Sequence, residues 1–448
     1  MADMLEPWWP ASPEQMWILA VSVITNVSCA LVGCYLVLRR MSLLGDALAH
    51  AVLPGLVVAF IFSGSLAIGW MFAGALVVGM LTTTLTHTLH RRGGIAADAS
   101  MGIVFTSLFA IGVILIKRYA YGIHLDADCV FQGQLSIMPF GQRVSLLGWE
   151  VPRAFASTAP TLLVNAAFIL VFWKELKLTS FDPALASALG FRASWIEYAL
   201  MALVAATTVG SFEAVGSILV VAMLIVPGAT AHLLCDRLAS MLLVAVGLAV
   251  ATAYLGLAAA TYFDVKPAGM MAVVAGFFYF TAVFASPRYG VLSTILRNRQ
   301  MAGRISREDL LAMLYRLEEL ATGKRLSPAQ AVEAVGGGRT ASRALRGLTS
   351  EGQLTGSQGQ LELTDEGRRA AATLVRSHRL WEVYLVRFLG LPLDHVHAPA
   401  ERMEHFIDAK LATDIAERVG EPAVDPHGRS IPEVIAPQAP LSHRERAG

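Results

Sequence analysis

The stretch from Leu38 to Gly64, LRRMSLLGDALAHAVLPGLVVAFIFSG, decides the fold. After Arg39 and Arg40 it is apolar for long enough to cross a ~30 Å hydrocarbon layer, which takes ~20 residues. Yet it carries Asp46 and His50, which at i and i+4 share one face of a helix. A carboxylate near mid-membrane costs several kcal/mol unless paired or hydrated, so an intramembrane Asp and His read by default as pathway or binding residues. Their oxygen and nitrogen atoms suit a borderline divalent cation. The alternative reading is a plain hydrogen bond between two helices. Pro54-Gly55 just beyond can break the helix and free backbone groups beside a cavity.

Further apolar spans surround this one. They run over Met16 to Leu38, Leu43 to Gly64, Leu66 to Leu89, Met101 to Ile116, Ala156 to Trp173, Trp195 to Ser211, Val215 to Leu234, Leu238 to Tyr262 and Ala268 to Ala285. Eight or nine transmembrane helices are therefore expected. The chain lacks a basic region before its first span and a small-residue cleavage pattern, so Met16 to Leu38 reads as a retained span. Nine spans place Arg39-Arg40, Arg91-Arg92, Lys174, Lys177, Arg237 and Arg288 on one side, cytoplasmic by the positive-inside rule, with Lys117-Arg118 dissenting.

Charge divides the 448 residues into two regimes. Residues 1–290 hold 14 Lys and Arg with 14 Asp and Glu, whereas residues 291–448 hold 21 and 20. About 10% charge cannot coat a globular surface of the first size, while about 26% is ordinary for a soluble domain. The mean hydropathy of +0.57 excludes a disordered or fibrous chain. A net charge of +1 excludes a dominant role in coating nucleic acid. Cys29, Cys34, Cys129 and Cys235 show no CxxC spacing, so neither a zinc knuckle nor a disulfide framework is expected.

After Pro287 the periodicity changes. Ser306 to Leu320 has helical apolar spacing with Leu310, Leu311, Leu314 and Leu317 on one face. Ser327-Pro328 starts a second helix, Gly336 to Gly338 turns the chain, and Arg339 to Ser350 makes a third. Gln353 to Thr364 alternates around Gly356 and Gly359 like a small hairpin, and Thr364 opens another helix. Helix, turn, helix, hairpin is a winged-helix order. Glu401, Glu404 and His405 fall on one helical face, as do His378 and Glu382 on another, so two faces can converge on a metal. Nitrogen and oxygen donors without thiolate favour manganese or ferrous iron over structural zinc. In the bland alternative these residues decorate a solvated dimer helix. Beyond about Pro422 a poorly ordered end is expected.

Residues Val37 to Phe60 resemble the signature of the permease subunit of zinc, manganese and iron ABC importers. Further matches follow in order: DASMGIVF at Asp98, HLDADCVFQG at His124, SFDPALASALG at Ser180 and AVGSILVVAMLIVPGATA at Ala214. The resemblance implies a permease that works as a homodimer, or a heterodimer with a paralogous permease, in the bacterial cytoplasmic membrane. It would receive an Mn, Fe or Zn ion from an extracytoplasmic metal-binding lipoprotein and be driven by a separate ATPase subunit. Consistently, no GxxxxGK[ST] stretch is present to hold a nucleotide. By the same resemblance Phe181, Asp182, Pro183, Leu189 and Gly190 belong to the helix that docks on the ATPase; a surface turn is the plain alternative. Asp126 and Asp128, with His124, fall in a loop placed outside, where they attract cations or are merely solvated. Glu213 reads equally as a pathway carboxylate or a headgroup-level turn residue.

From Ser306 to about Val434 the chain resembles the iron- and manganese-dependent repressors of the diphtheria-toxin-repressor family. RTASRALRGLTSEGQL at Arg339 resembles their recognition helix and wing entry, so Arg339, Thr340, Ser342, Arg343 and Arg346 are the DNA-type residues. His378, Glu382, His397, Glu401, Glu404 and His405 match the family's ligand positions, with Asp309 supplied by the first helix. Glu401 and Asp309 lean towards the manganese branch, but Ala312 stands where that branch has a carboxylate. DNA is not expected as a partner, because the tail's own net charge of about +1 attracts little.

The expected whole is an all-α polytopic permease, residues 1–290, followed by a linker at 291–305. A winged-helix domain at 306–370, a helical metal-binding and dimerisation domain at 371–435 and a flexible end at 436–448 complete it. The metal is cargo and also a regulatory ligand, and the tail is cytoplasmic. Two rivals are a membrane-tethered metal-responsive transcription regulator and a permease for metal chelates such as siderophores.

Overall fold

A computed structural model describes residues 12–433 apart from 42–44, 46, 48–50, 52, 65–67, 120–132, 134, 142, 147–148, 321–324 and 358. The chain forms two compact units, Met1–Thr294 and Ile295–Gly448.

In the first unit eight helices among the described residues are long and apolar enough to cross a membrane, and a shorter apolar helix, α2 (Leu53–Ser63), accompanies them. Helix α1 (Pro13–Leu38) is its central element, packed on α5 (Arg153–Val171), α8 (Ala193–Leu234) and α9 (Leu238–Phe263). It begins where Ser12 Oγ accepts the Gln15 amide at 3.2 Å, with Pro13 in the first turn, where a missing N–H is harmless. A Cβ on Gly33 would stand 1.8 Å from the Leu224 carbonyl oxygen of α8, so only glycine allows this approach. The turn that ends α1 puts Arg40 at a left-handed φ of 58°.

Helices α3 (Ile68–Gly93) and α4 (Ala97–Tyr119) pack with α2. The hairpin β1 (Arg143–Leu146) and β2 (Trp149–Pro152) precedes α5, and α10 (Pro267–Ala285) closes the unit. At 42 residues α8 would be about 63 Å long if straight, twice the span of a hydrocarbon layer. Gly216 breaks it at φ 75°, ψ 168°, a conformation open to glycine, and the helix supplies two stretches of membrane-spanning length, Ala193–Phe212 and Ala214–Leu234.

The second unit contains most of α11 (Val291–Glu319), then α12 (Pro328–Ala334), α13 (Gly338–Ser350), strands β3 (Leu354–Ser357) and β4 (Gln360–Leu363), α14 (Asp365–Leu389), α15 (His397–Met403) and α16 (Ala409–Arg418). Helix α12 opens with a reciprocal capping box between Ser327 and Gln330. Three consecutive positive-φ glycines, Gly336, Gly337 and Gly338, turn the chain into α13. The strands pair antiparallel, Leu354 opposite Leu363. Leu310, Leu311, Leu314, Leu345, Leu348, Leu354, Leu361 and Leu363 make one core, so the winged-helix order has its own apolar centre. Leu380, Ile407, Ile415, Val419 and Ile431 make a second, around α14 and α16.

Residues 291–305, the expected linker, are helical and belong to α11. One expectation changes. The segment after Pro422, expected to be poorly ordered, is placed on α14 as far as residue 433: Val424 bridges Ser430, Ile431 enters the second core, and Arg376 Nη1 donates to the Pro432 carbonyl at 2.7 Å. One apolar residue and a closed turn were enough to override the proline-rich composition. Residues 436–448 lie outside the described residues.

Candidate metal centres

Helix α14 positions the first centre. Thr364 caps it, accepting the Gly367 amide at 3.1 Å, and Gly390 ends it in a left-handed conformation. One turn apart on its buried face stand His378 and Glu382, both nearly inaccessible. His378 Nε2 lies 3.1 Å from Glu382 Oε1 and 3.1 Å from Nδ1 of His397, the first residue of α15. His397 Nδ1 is in turn 3.0 Å from Glu382 Oε1. The three donor atoms lie within 4.8 Å of one another.

The second centre joins α11 to the short turn of helix at Glu404–Phe406. His405 is held from both sides, Nδ1 at 2.7 Å from Glu308 Oε2 and Nε2 at 3.3 Å from Asp309 Oδ1. Asp309, Glu404 and His405 make a second set within 4.8 Å. Glu404 links the two centres, because its Oε2 is 2.5 Å from His378 Nδ1 and 3.3 Å from the Arg316 guanidinium. Glu401 falls outside both sets, but with Asp309, Glu404 and Arg316 it lines a cavity of ≈ 440 Å³ beside them.

The electrostatics match this packing. Hydrogen bonds to Asp309 and then Glu308 push His405 up to about 10. Burial works against a charged His378 and a charged Glu382, but their mutual hydrogen bond and those to Glu404 and His397 prevail. His378 is raised and Glu382 is held down at about 2. Carboxylates beside imidazoles, with no thiolate, are a donor set that fits manganese, ferrous iron or zinc.

Besides Glu308, two more residues beyond the sequence reading join these centres. His427 Nδ1 approaches Glu382 Oε2 at 3.7 Å, and Glu382, Asp425 and His427 form a third set. Asp425 also accepts the amides of His427 and Arg429 at 2.8 Å each and lies 3.6 Å from Arg379, so much of its charge serves the turn. The signal was the Asp425-Pro-His-Gly stretch, read as part of an unstructured end.

On α13 the side chains of Arg339, Thr340, Arg343 and Arg346 are exposed. Ser342 is half-buried and its hydroxyl donates to the Gly338 carbonyl at 2.9 Å, which withdraws it from that face.

In the first unit Asp46, His50, His124, Asp126 and Asp128 lie outside the described residues. Glu213 stands in α8 three residues before the break at Gly216. The segment expected to meet an ATPase is a hairpin of short helices, α6 (Trp173–Phe181) and α7 (Pro183–Ala188). Asp182 caps α7, its Oδ1 accepting the Leu185 amide at 2.9 Å, and Gly190 ends the hairpin at φ 86°. Phe181, Leu185, Leu189 and Phe191 are all exposed along this short segment, an apolar content unusual for a surface turn.

Comparison with known proteins places this architecture. The model of the ABC 3 transport family matches residues 14–286. The chain belongs to that family. A second model, the iron dependent repressor metal-binding and dimerisation domain, matches residues 364–433, the region of α14 to α16. The permease is 44% identical to the manganese transport system membrane protein MntD of Bacillus subtilis (strain 168) over 288 residues, covering 64% of this chain and 97% of MntD. It is 38% identical to the zinc transport system membrane protein TroD of Treponema pallidum (strain Nichols), covering 64% of this chain and 78% of TroD. Among solved structures it resembles PsaBC from Streptococcus pneumoniae, in complex with Fab, at 29% identity and a TM-score of 0.54, covering 66% of this chain and 98% of that one. The permease is thus a multi-pass membrane protein with a repressor-like tail.

Proposed function

We propose that this permease imports a divalent first-row transition metal ion across the bacterial cytoplasmic membrane and that its tail, on the cytoplasmic side, reads the ion after it has crossed. The observation that carries the reading is a pair of histidine and carboxylate centres, each with two buried members, fused to a permease of the ABC 3 transport family. Relatives named for manganese and zinc transport support the cargo class.

In this reading Asp46 and His50 receive the ion from an extracytoplasmic binding lipoprotein, replacing part of its water shell with a carboxylate oxygen and an imidazole nitrogen. Asp126, Asp128 and Glu213 raise the local cation concentration along the way. A second permease completes the pathway and a separate ATPase docks on the α6–α7 hairpin, through Phe181, Asp182, Pro183, Leu189 and Gly190. In the tail, Asp309, Glu404 and His405 hold one regulatory ion and His378, Glu382 and His397 another, with Glu401 and His427 adjoining. A regulatory ion would draw these side chains together. Through linkage it shifts transport only by its different affinity for the two states, and ~1 to 3 kcal/mol changes uptake roughly 5- to 150-fold.

The test is manganese uptake by the complete importer in liposomes. Asp46→Asn and His50→Ala should each abolish uptake while the chain still reaches the membrane and binds its ATPase. Glu404→Ala with His405→Ala should leave uptake running at high internal manganese, where the parent slows. Unchanged uptake in the first pair overturns the cargo site, and an unchanged slowdown in the second overturns the sensor.

The exposed Arg339, Thr340, Arg343 and Arg346 favour a second reading, a membrane-tethered regulator that grips an operator. A chromatin pull-down with a discrete, metal-dependent site would establish it.

A further inference from the structure

Arg39 stands immediately after α1, yet it does not extend into solvent. It reaches 140 residues along the chain to the end of α6, where Nη2 donates to Thr179 Oγ1 at 2.9 Å and Nε donates to Ser180 Oγ at 3.3 Å. Thr179 is buried and passes the bond on, its hydroxyl donating to the Glu175 carbonyl at 2.8 Å. Glu197, in the second turn of α8, is close enough to interact with Arg39 electrostatically. The planar guanidinium fork is thus used as a two-point clamp, an arrangement that the single ammonium of lysine cannot reproduce.

The position of the clamp in the chain gives it meaning. On one side, Arg39 heads the tight turn that closes α1: its own amide bonds the Tyr35 carbonyl, Arg40 the Val37 carbonyl and Met41 the Leu36 carbonyl, with Arg40 left-handed. That turn closes α1, and Asp46 and His50 follow it within ten residues of sequence. On the other side, Ser180 directly precedes Phe181, and Asp182 caps α7 two residues on. A shift of the α6–α7 hairpin must therefore drag on Arg39 or break its two bonds. An ordinary surface arginine leaving a helix end would have neither partner.

We propose that Arg39 is the positioning residue that couples the α6–α7 hairpin to the cargo-bearing segment after α1. This rests on the proposal that the hairpin receives the ATPase and that Asp46 and His50 hold the ion. Arg39 touches neither ion nor nucleotide. It makes the stroke of one segment felt by the other, so its loss uncouples ATP hydrolysis from ion movement.

The test uses the complete importer in liposomes with manganese as probe, and reads ATP hydrolysed and manganese taken up in the same vesicles. Arg39→Gln should lower uptake roughly tenfold while changing hydrolysis by less than about twofold, a loss within the usual range of coupling between sites. Arg39→Lys should fall between Gln and the parent. Thr179→Val with Ser180→Ala removes the acceptors and leaves Arg39 in place, so it carries the same test if Arg39→Gln fails to reach the membrane. It should raise the ATP-to-manganese ratio likewise. A ratio equal to the parent's, whether because both activities persist or because both fall together, overturns the role of Arg39 while leaving the transport reading intact. A parent that moves no manganese, zinc or iron overturns the transport reading itself, and this inference with it.

Discussion

Metal binding by the tail should depend steeply on pH, and His405 sets the slope. In the metal-free chain its imidazole is gripped by Glu308 at Nδ1 and Asp309 at Nε2, which raises it to about 10, so at neutral pH it carries both protons. Glu308 is suited to keep the Nδ1 proton and thereby orient the ring, leaving Nε2 as the metal donor. An ion entering between Asp309, Glu404 and His405 must therefore displace the Nε2 proton. While pH stays below that value, each unit of pH should raise the apparent affinity about tenfold for each proton displaced. Glu382, held at about 2, is already ionised and adds nothing between pH 6 and 9, whereas His378, also raised, adds a share. From pH 6.5 to 8.5 the affinity for manganese should thus rise by between about a hundredfold and ten-thousandfold. Manganese electron paramagnetic resonance on the full chain in detergent reads free ion directly. Glu308→Gln should flatten the slope, because one of the two carboxylates that hold the proton is gone. A slope under about threefold per pH unit in the parent would refute the reasoning.

The same linkage fixes the sign for the metal-free fold. A histidine raised from about 6.5 in the unfolded chain to about 10 when folded contributes stability that is complete below pH 6.5 and lost as pH rises through 10. Metal binding thus strengthens with alkali while the empty centre weakens.

Other outcomes follow from the packing. Leu348→Ala in the fully buried core of the winged helix should destabilise the tail by about 2 to 5 kcal/mol, read as a lower midpoint in denaturant. Gly33→Ala should prevent α1 from seating on α8, since its Cβ would meet the Leu224 carbonyl oxygen at 1.8 Å, and should appear as loss of the chain from the membrane fraction. Cysteines at Phe181 or Leu189 should crosslink to the ATPase subunit and be shielded by it from a membrane-impermeant thiol reagent applied to inverted vesicles, because both side chains are exposed on the hairpin. Labelling from outside intact cells would reverse the topology.

How much of this could be read from residues alone depended on the range of the interaction. Helix existence is local: runs of apolar residues at a length set by the bilayer gave the spans, and Leu310, Leu311 and Leu314 marked the buried face of α11. The pair within α14, His378 with Glu382, was legible for the same reason, whereas Glu401, Glu404 and His405, expected on one helical face, are divided between α15 and the turn at Glu404–Phe406, and Glu401 falls outside both donor sets. What escaped were residues whose role exists only after distant segments meet. Glu308 is one position from the recognised Asp309, yet its hold on His405 spans 97 residues and depends on how α11 faces the turn of helix at Glu404. His427 lies in a proline-rich stretch whose composition argues for disorder, and it is Ile431 in the second core, with the arginines of α14, that overrides that composition. Arg39 was read only as one of the positive charges that orient a membrane protein, although its two bonds to α6 give it a second use that no rule of charge counting contains. Local periodicity therefore locates the segment proposed to carry the cargo and the helices proposed to sense it, while the groups proposed to orient, protonate or couple them are disclosed by contacts across the fold, and those are the positions where substitution should separate binding from coupling.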